Sequence, residues 1–543
     1  MIIDLSSLES KEAKVFNSNI DEVLADYQAL ADDLQKRTSD LPWLLNNVTS
    51  RNTNFSKLLY YMRCEKLLFD LAKDNTIDKV ITDDRVLANL LKSKYNVECK
   101  VEEKKKNRVR ISLNCLKWSF YAFLCSSKDR LLKLQHSENA TVIDTDIAKK
   151  ADKYNDRYYG DVLDTIAPEK TKDFFYNIIY LPLPKKKDIL QIDKNTPYNT
   201  IYLWDFLEPL DYFVALFGMM KRNHTNLLDY DYLGINQRPA LKSIYYDSGS
   251  FYYYLAYLYE RVIFRMKKKG VQIRLYIDWF ENQSFDKSFH WAMKRYYPEV
   301  PVHSYIGFMA DTKSNPITIA SNTELVLGIA PKNVFTCNKA LYDQYKESGY
   351  KGNVEVAPFY RAEAIWDIEP AVEKQKNFTI LVPLGLNDEE VQYKVKMLKS
   401  FVDSNVIHDV EVILKPHPVY NNEIIKDLLG DTKEIKIVGG NIYDYLPAVN
   451  AVVASNSTTT YEALALGKPL LYLLDPDLRV LLNKPNGLSE EMWYEVSDVG
   501  SFAQAVNKVQ QLSDSYLIEE GERLKNYYFT KNTKELTNKL FAL

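Results

Sequence analysis

Along most of the chain, short apolar runs alternate with stretches whose apolar residues recur every three or four positions. From Ser10 to about Lys73 the helical spacing is unbroken, as in Phe55-Leu58-Leu59-Met62 and Leu67-Leu68-Leu71, and predicts a helical extension over residues 1–75. Strands are then expected at Lys79–Asp84, Thr141–Asp144, Thr200–Asp205, Gln272–Asp278, Val302–Gly307, Val334–Cys337 and Val354–Pro358. Arg85–Tyr95, Phe251–Lys268 and Ser284–Tyr296 read as helices between them, and the charged stretch Ala148–Lys172 as loops and helix. The charged, proline-containing segment 367–376 is the expected linker. A second series follows, with strands at Phe378–Pro383, Val410–Leu414, Ile435–Val438, Ala451–Ala454 and Pro469–Leu473. It includes a helix at Glu389–Phe401 and ends in a helical segment from Ser501. Strands alternating with helices on both sides of one linker predict an α/β protein. Its two doubly wound, Rossmann-like domains, 76–366 and 377–543, would face a cleft.

Composition narrows the class. The 543 residues are 46% hydrophobic, enough for full cores, and 70 basic against 73 acidic residues give a net charge of −3. That balance offers nothing to nucleic acid. Five cysteines, with no CxxC pair, point to reduced thiols and a cytoplasmic setting rather than to disulfides or zinc. Met1-Ile2-Ile3-Asp4-Leu5 lacks the basic region and long apolar core of a signal peptide. No run reaches the ~18 apolar residues of a membrane span. The nearest, Leu113–Cys125, is interrupted by Lys117 and reads as a buried helix, with a helix lying on a membrane surface as the alternative.

Two segments near the C-terminus carry the chemistry. Leu414-Lys415-Pro416-His417-Pro418 ends one expected strand, and Ser455-Asn456-Ser457-Thr458-Thr459-Thr460-Tyr461-Glu462 follows another. Open α/β sheets bind ligands at that edge. A hydroxyl-rich turn opening a helix offers backbone N–H groups, side-chain donors and the positive end of the helix dipole, a phosphate site without a glycine loop. His417 and Lys415 would add donors or positive charge. The plainer reading makes the hydroxyls helix caps, His417 and Lys415 strand-end residues, and Glu462 a first-turn acid serving the dipole. Five hydroxyls in six positions exceed what one cap needs.

These motifs resemble the C-terminal domain of GT-B glycosyltransferases, above all bacterial sialyl-, polysialyl- and Kdo transferases that use CMP-activated sugars. His417-Pro418 is similar to their His-Pro motif, and Ser455-Asn456-Ser457-Thr458, with Asn456 interposed, to their Ser-Ser/Thr motif. Asp444 stands where sialyltransferases place a ribose-binding acid, and Glu462–Pro469 resembles a stretch common to many GT-B enzymes. The likeness spans about 378–475. It implies a donor site of Lys415, His417, Pro418, Asp444, Ser455, Ser457, Thr458, Thr459 and Glu462. It also implies a metal-independent transferase with no cofactor besides its CMP-linked donor. The acceptor would be a glycan or lipid-linked glycan of bacterial surface polysaccharide, at the inner face of the membrane.

The acidic base motif of sialyltransferases has no copy in the first half. Asp278 and Glu281, after the strand Gln272–Asp278, are the candidate base or nucleophile, and Asp247 in Tyr246-Asp247-Ser248-Gly249 is a third. Each also serves as an ordinary cap, ion-pair or turn residue. Trp204, Trp279 and Trp291 are candidates for stacking on sugar rings. Asp144-Thr145-Asp146 invites a rival reading as a metal–diphosphate motif, which would leave His417 and Ser455 without a role. CDP-glycerol or UDP-sugar donors, an epimerase of the same fold and a non-catalytic glycan-assembly protein remain alternatives.

Overall fold

Both strand series form parallel sheets, the first without its opening strand. The first has seven strands in the order Asn353–Val356, Asn333–Thr336, Val302–Ile306, Ile273–Trp279, Ala140–Thr145, Phe174–Ile178 and Asn199–Ile201. The second has six, in the order Ile435–Ile437, Val410–Lys415, Phe378–Pro383, Ala451–Val453, Leu470–Leu473 and Trp493–Val496. In each sheet the chain winds outward from a central strand, returns, and winds the other way. The two expected Rossmann-like α/β bodies are therefore present. Ala140–Thr145 and Phe378–Pro383 are buried along their whole length, as strands covered on both faces must be. This computed structural model describes residues 1–100, 108–147, 156–221, 227–247, 250–309, 311–313, 315–369, 377–385, 388–404, 406, 409–417, 420–430, 432, 434–474 and 483–543. Pro418, Ser248, Gly249 and linker residues 370–376 lie outside the described residues.

The winding fixes two switch points, where adjacent strands send their connections to opposite sides. One lies between Ala140–Thr145 and Ile273–Trp279, the other between Phe378–Pro383 and Ala451–Val453. The helix Thr458–Ala465 ends because Gly467 takes φ +71° directly against the backbone of Leu517. A Cβ there would stand 2.3 Å from the Leu517 carbonyl oxygen, so glycine lets the helix Asp514–Tyr528 pack close.

Several elements depart from expectation. Lys79–Thr82 is a strand, but it pairs with Ile2–Asp4 and Val97–Cys99 in a separate three-stranded parallel sheet, so the N-terminal extension is not purely helical. The N-terminal ammonium fastens that sheet by pairing with Asp78 at 2.7 Å. The strands Phe174–Ile178 and Trp493–Val496 lie beyond the expected series. The last helix, Lys534–Phe541, packs on the first sheet: Arg274 donates to the Ala542 carbonyl (3.0 Å), and Lys539 pairs with Glu355 at 2.5 Å. The segment around Leu113–Cys125 forms a helix, Arg108–Leu124, that is not buried all round. Cys115, Trp118, Ser119 and Ala122 face inward, while Leu113, Phe120, Phe123 and Leu124 are exposed. Among the described residues, no helix is long and apolar enough to cross a membrane.

Candidate functional site

At the first switch point the acids are tied to their surroundings. Asp278, 1% exposed near the end of its strand, accepts from the Ser304 hydroxyl (2.6 Å) and lies 3.1 Å from His290 Nε2. Asp144, on the adjoining strand, accepts from Asn177 Nδ2 (2.7 Å) and the Tyr276 hydroxyl (2.9 Å). Burial pushes Asp144 up to about 7, against those hydrogen bonds and with the Asp278 charge adding to the rise. Thr145 bonds Asp156, and Asp146 pairs with Arg157 at 2.8 Å, so the Asp-Thr-Asp segment does not converge on one point.

Glu281 is placed differently. It follows the central strand, is half-buried, and takes a hydrogen bond from Trp279 Nε1 at 2.8 Å. Burial raises its carboxyl above the usual range, opposed by Trp279 and by the Arg361 charge. Its turn is firmly held. The backbone N–H groups of Glu281 and Gln283 donate to Asp286 at 3.1 and 2.8 Å, and Asn282 at φ 56° reaches the Ile317 carbonyl and Glu324. Trp279 is itself buried and stacks on Tyr158, with ring centroids 3.7 Å apart, so it is a wall rather than an open platform. Trp204 is fully buried against Tyr202, and Trp291 carries Arg295 over its ring at 4.8 Å. Asp247 ends the helix Arg238–Asp247, exposed, and its charge acts on Tyr61 of the N-terminal segment.

At the second switch point the loop after Ala451–Val453 closes on itself. Thr460 Oγ1 donates to the Ser455 carbonyl (2.7 Å) and accepts from the Ser455 N–H (2.9 Å), and both residues are buried. Ser457 caps the helix, accepting from the Thr459 N–H at 3.4 Å. Asn456 and Ser457 are exposed, Thr458 and Thr459 half-buried. The buried Lys394, paired with Glu390 at 2.6 Å, supports the loop by donating to the Ala454 carbonyl at 3.2 Å. His417 is exposed beyond the end of Val410–Lys415, while Lys415 is buried. Its strand and that of Ser455 flank Phe378–Pro383 on either side, two strand spacings or about 10 Å apart. Asp444 is exposed and accepts from the Asn441 N–H at 3.1 Å as the acid of a capping box. Glu462 accepts from the Tyr443 hydroxyl at 2.6 Å, and burial raises its carboxyl against Tyr443, Thr459 and Arg361.

Arg361 links the two edges. It is exposed, lies 5.7 Å from the Trp279 ring centre, and acts on Glu281 of the first body and Glu462 of the second. It makes no ion pair among the described residues. A small cleft between the bodies is lined by Phe308, Asp311 and Lys313 on one side and Tyr461 and Asn483 on the other. Asn483 donates to Asp311 through its N–H (3.0 Å) and Nδ2 (2.7 Å) across that cleft. Arg361, Tyr158 and Tyr443 were not among the sequence candidates. An arginine in the short helical segment Tyr360–Asp367 carries no motif, and only its position between two acids from different bodies singles it out.

No protein-family model matches the chain, and no curated protein does. Among solved structures it is similar to the S. aureus MnaA–UDP co-structure, with 11% identity over 72% of this chain and 92% of that one and a TM-score of 0.42. It is similar to the lipopolysaccharide outer core galactosyltransferase WaaB in its apo form (10% identity, 74% and 99% covered, TM-score 0.40). Acinetobacter baumannii MurG is a third (9% identity, 74% and 98% covered, TM-score 0.41). The fold described above rests on strand order, independently of these likenesses.

Proposed function

We propose that this chain is a GT-B-type glycosyltransferase that moves a sugar from a nucleotide-activated donor onto a glycan acceptor of bacterial surface polysaccharide. The observation that carries this is Arg361, an exposed cation whose charge acts on one acid from each body. The donor is read as a CMP-linked acidic sugar of Kdo or sialic-acid type, from His417 and the Ser455–Thr460 turn. His417 and the N–H groups opening Thr458–Ala465 would stabilise the phosphate charge that grows as the nucleotide departs. Arg361 would neutralise the donor from the opposite wall. Glu281, its carboxylate made more basic by burial and steered by Trp279, would accept the proton of the acceptor hydroxyl. The cleft would hold hydroxyl and anomeric carbon together and exclude water.

Calorimetry with CMP, CDP, UDP and GDP, on the native chain and on His417→Ala, tests the reading. Selective CMP binding, weakened about tenfold or more in the variant, is expected from loss of a charge-assisted contact. Preference for UDP or CDP would replace the donor while keeping the transferase. Binding of none of the four would overturn the proposal in favour of a non-catalytic assembly role.

A further inference from the structure

The helix Pro209–Met220 is apolar on both of its faces. Tyr212, Ala215, Leu216 and Met219 point into the protein, and Gly218 brings the helix so close to Phe251–Lys268 that a Cβ would meet the Tyr257 ring at 2.7 Å. The opposite stripe, Leu210, Phe213, Val214, Phe217 and Met220, follows the i, i+3, i+4, i+7 spacing of a packed face yet is 44–68% exposed. The neighbouring helix Arg108–Leu124 rests on the same Phe251–Lys268 helix, through Ser119 and the Tyr254 hydroxyl at 2.6 Å. It adds Leu113, Phe120, Phe123 and Leu124 to the exposed surface. Trp118 Nε1 donates to the Pro182 carbonyl at 3.1 Å, which brings exposed Leu181 alongside. Most of the exposed large apolar side chains among the described residues lie between residues 109 and 220. Monomeric soluble proteins rarely leave so continuous an apolar surface uncovered.

Its charge identifies what covers it. Arg108, Arg110, Lys117, Lys185, Lys186 and Lys187 are exposed around this surface. The acids within the same stretches are engaged: Asp211 is buried between Arg261 and Arg265, Glu208 pairs with Arg265 at 2.7 Å, and Asp188 accepts from Tyr180 at 3.2 Å. A cationic margin on a chain of net charge −3 is a local arrangement. Aromatic and aliphatic side chains bordered by Lys and Arg fit the headgroup–acyl boundary of an anionic bilayer, with the helices lying in its plane. We propose that this two-helix face docks the protein on an anionic lipid surface, without crossing it.

None of these residues belongs to the proposed donor or acceptor site, so loss of vesicle binding and loss of transfer are separable. The test is co-sedimentation of the full chain with vesicles of equal parts phosphatidylglycerol and phosphatidylcholine, and with phosphatidylcholine alone. The native chain is expected to pellet with the anionic vesicles at low salt and to be released as salt rises. The exposed double variant Phe213→Asn/Phe217→Asn should weaken binding by about tenfold or more with an unchanged melting temperature. Lys185→Glu/Lys186→Glu/Lys187→Glu should weaken it by a similar factor through charge alone. A native chain that stays in the supernatant with both vesicle types at low salt would overturn the proposal. So would sedimentation velocity showing a dimer that Phe213→Asn/Phe217→Asn disperses, since a second copy would then be the occupant.

Discussion

The C-terminal edges of the two sheets share one topology and are finished in opposite ways. On the first, every central acid is committed. Asp278 is held by Ser304 and His290, Asp144 by Asn177 and Tyr276, and Asp286 by two backbone N–H groups. Glu281 alone among them is half-exposed, on a turn those bonds fix. On the second edge, His417, Asn456 and Ser457 are exposed, and the helix Thr458–Ala465 opens toward them. A preorganised edge suits chemistry, because its groups need not rearrange as charge develops. An open edge with exposed polar groups at a helix N-terminus suits an anion. On the proposed function, this difference would place reaction on the first body and binding on the second.

The largest effect should therefore come from Glu281→Gln. We expect the transfer rate to fall by about 10²–10⁴-fold, the usual worth of a positioned base. Nucleotide affinity and melting temperature should stay unchanged, the converse of His417→Ala. Single-turnover rates beside calorimetric titrations read the two quantities separately. If Glu281→Gln lost nucleotide affinity in step with rate, the division between the edges would fail.

Next in size is the support beneath Glu281. Arg51 and Lys287 converge on Glu324, all three side chains being almost wholly buried. Burial alone would raise Glu324, but the two cations hold it down at about 2, while burial lowers Lys287. Glu324→Gln would leave two buried cations facing each other and withdraw the charge that Asn282 bonds at 3.2 Å. The expected loss is about 3–5 kcal/mol, read from urea denaturation midpoints. A loss below about 1 kcal/mol would show that solvent reaches the cluster and that the first edge is not rigid.

Much of this was legible in the sequence, for a physical reason. Strands buried on both faces are written as near-continuous apolar runs, so Phe378–Pro383 and the helices Phe251–Lys268 and Ser284–Tyr296 appear with the expected bounds. The strand Phe174–Ile178 has a similarly apolar sequence, but the charged stretch Ala148–Lys172 before it masks the alternation. Lys79–Thr82 was recognised as a strand, yet its partners, Ile2–Asp4 and Val97–Cys99, are three residues each and too short to show a period. The donor-side motif could be seen because its hydroxyls are clustered within six positions. That Ser455 and Thr460 are consumed in closing their own loop could not, since one-dimensional spacing does not distinguish a cap from an open donor. Arg361 was invisible for a stronger reason: its charge acts on two acids 181 residues apart in the chain, one on each body.

The most gradual effect, spread over the pH window, isolates the electrostatics of the first edge. Asp144 has its native pKa raised to about 7 by burial, from an ordinary value of 3.8. Between those values the native protein keeps a proton that the unfolded chain releases, so stability must fall as pH rises through the window. The contribution is fully present below about pH 4 and is lost above about pH 7. Asp144→Asn has no proton to lose and still offers an oxygen to Asn177 and Tyr276. The native chain should therefore lose stability relative to the variant by no more than about 1.4 kcal/mol per pH unit within the window, one proton's worth. Paired urea titrations at successive pH values measure that difference directly. Parallel curves would mean that Asp144 is already ionised in the folded protein, so that water reaches the switch point and the first edge is as open as the second.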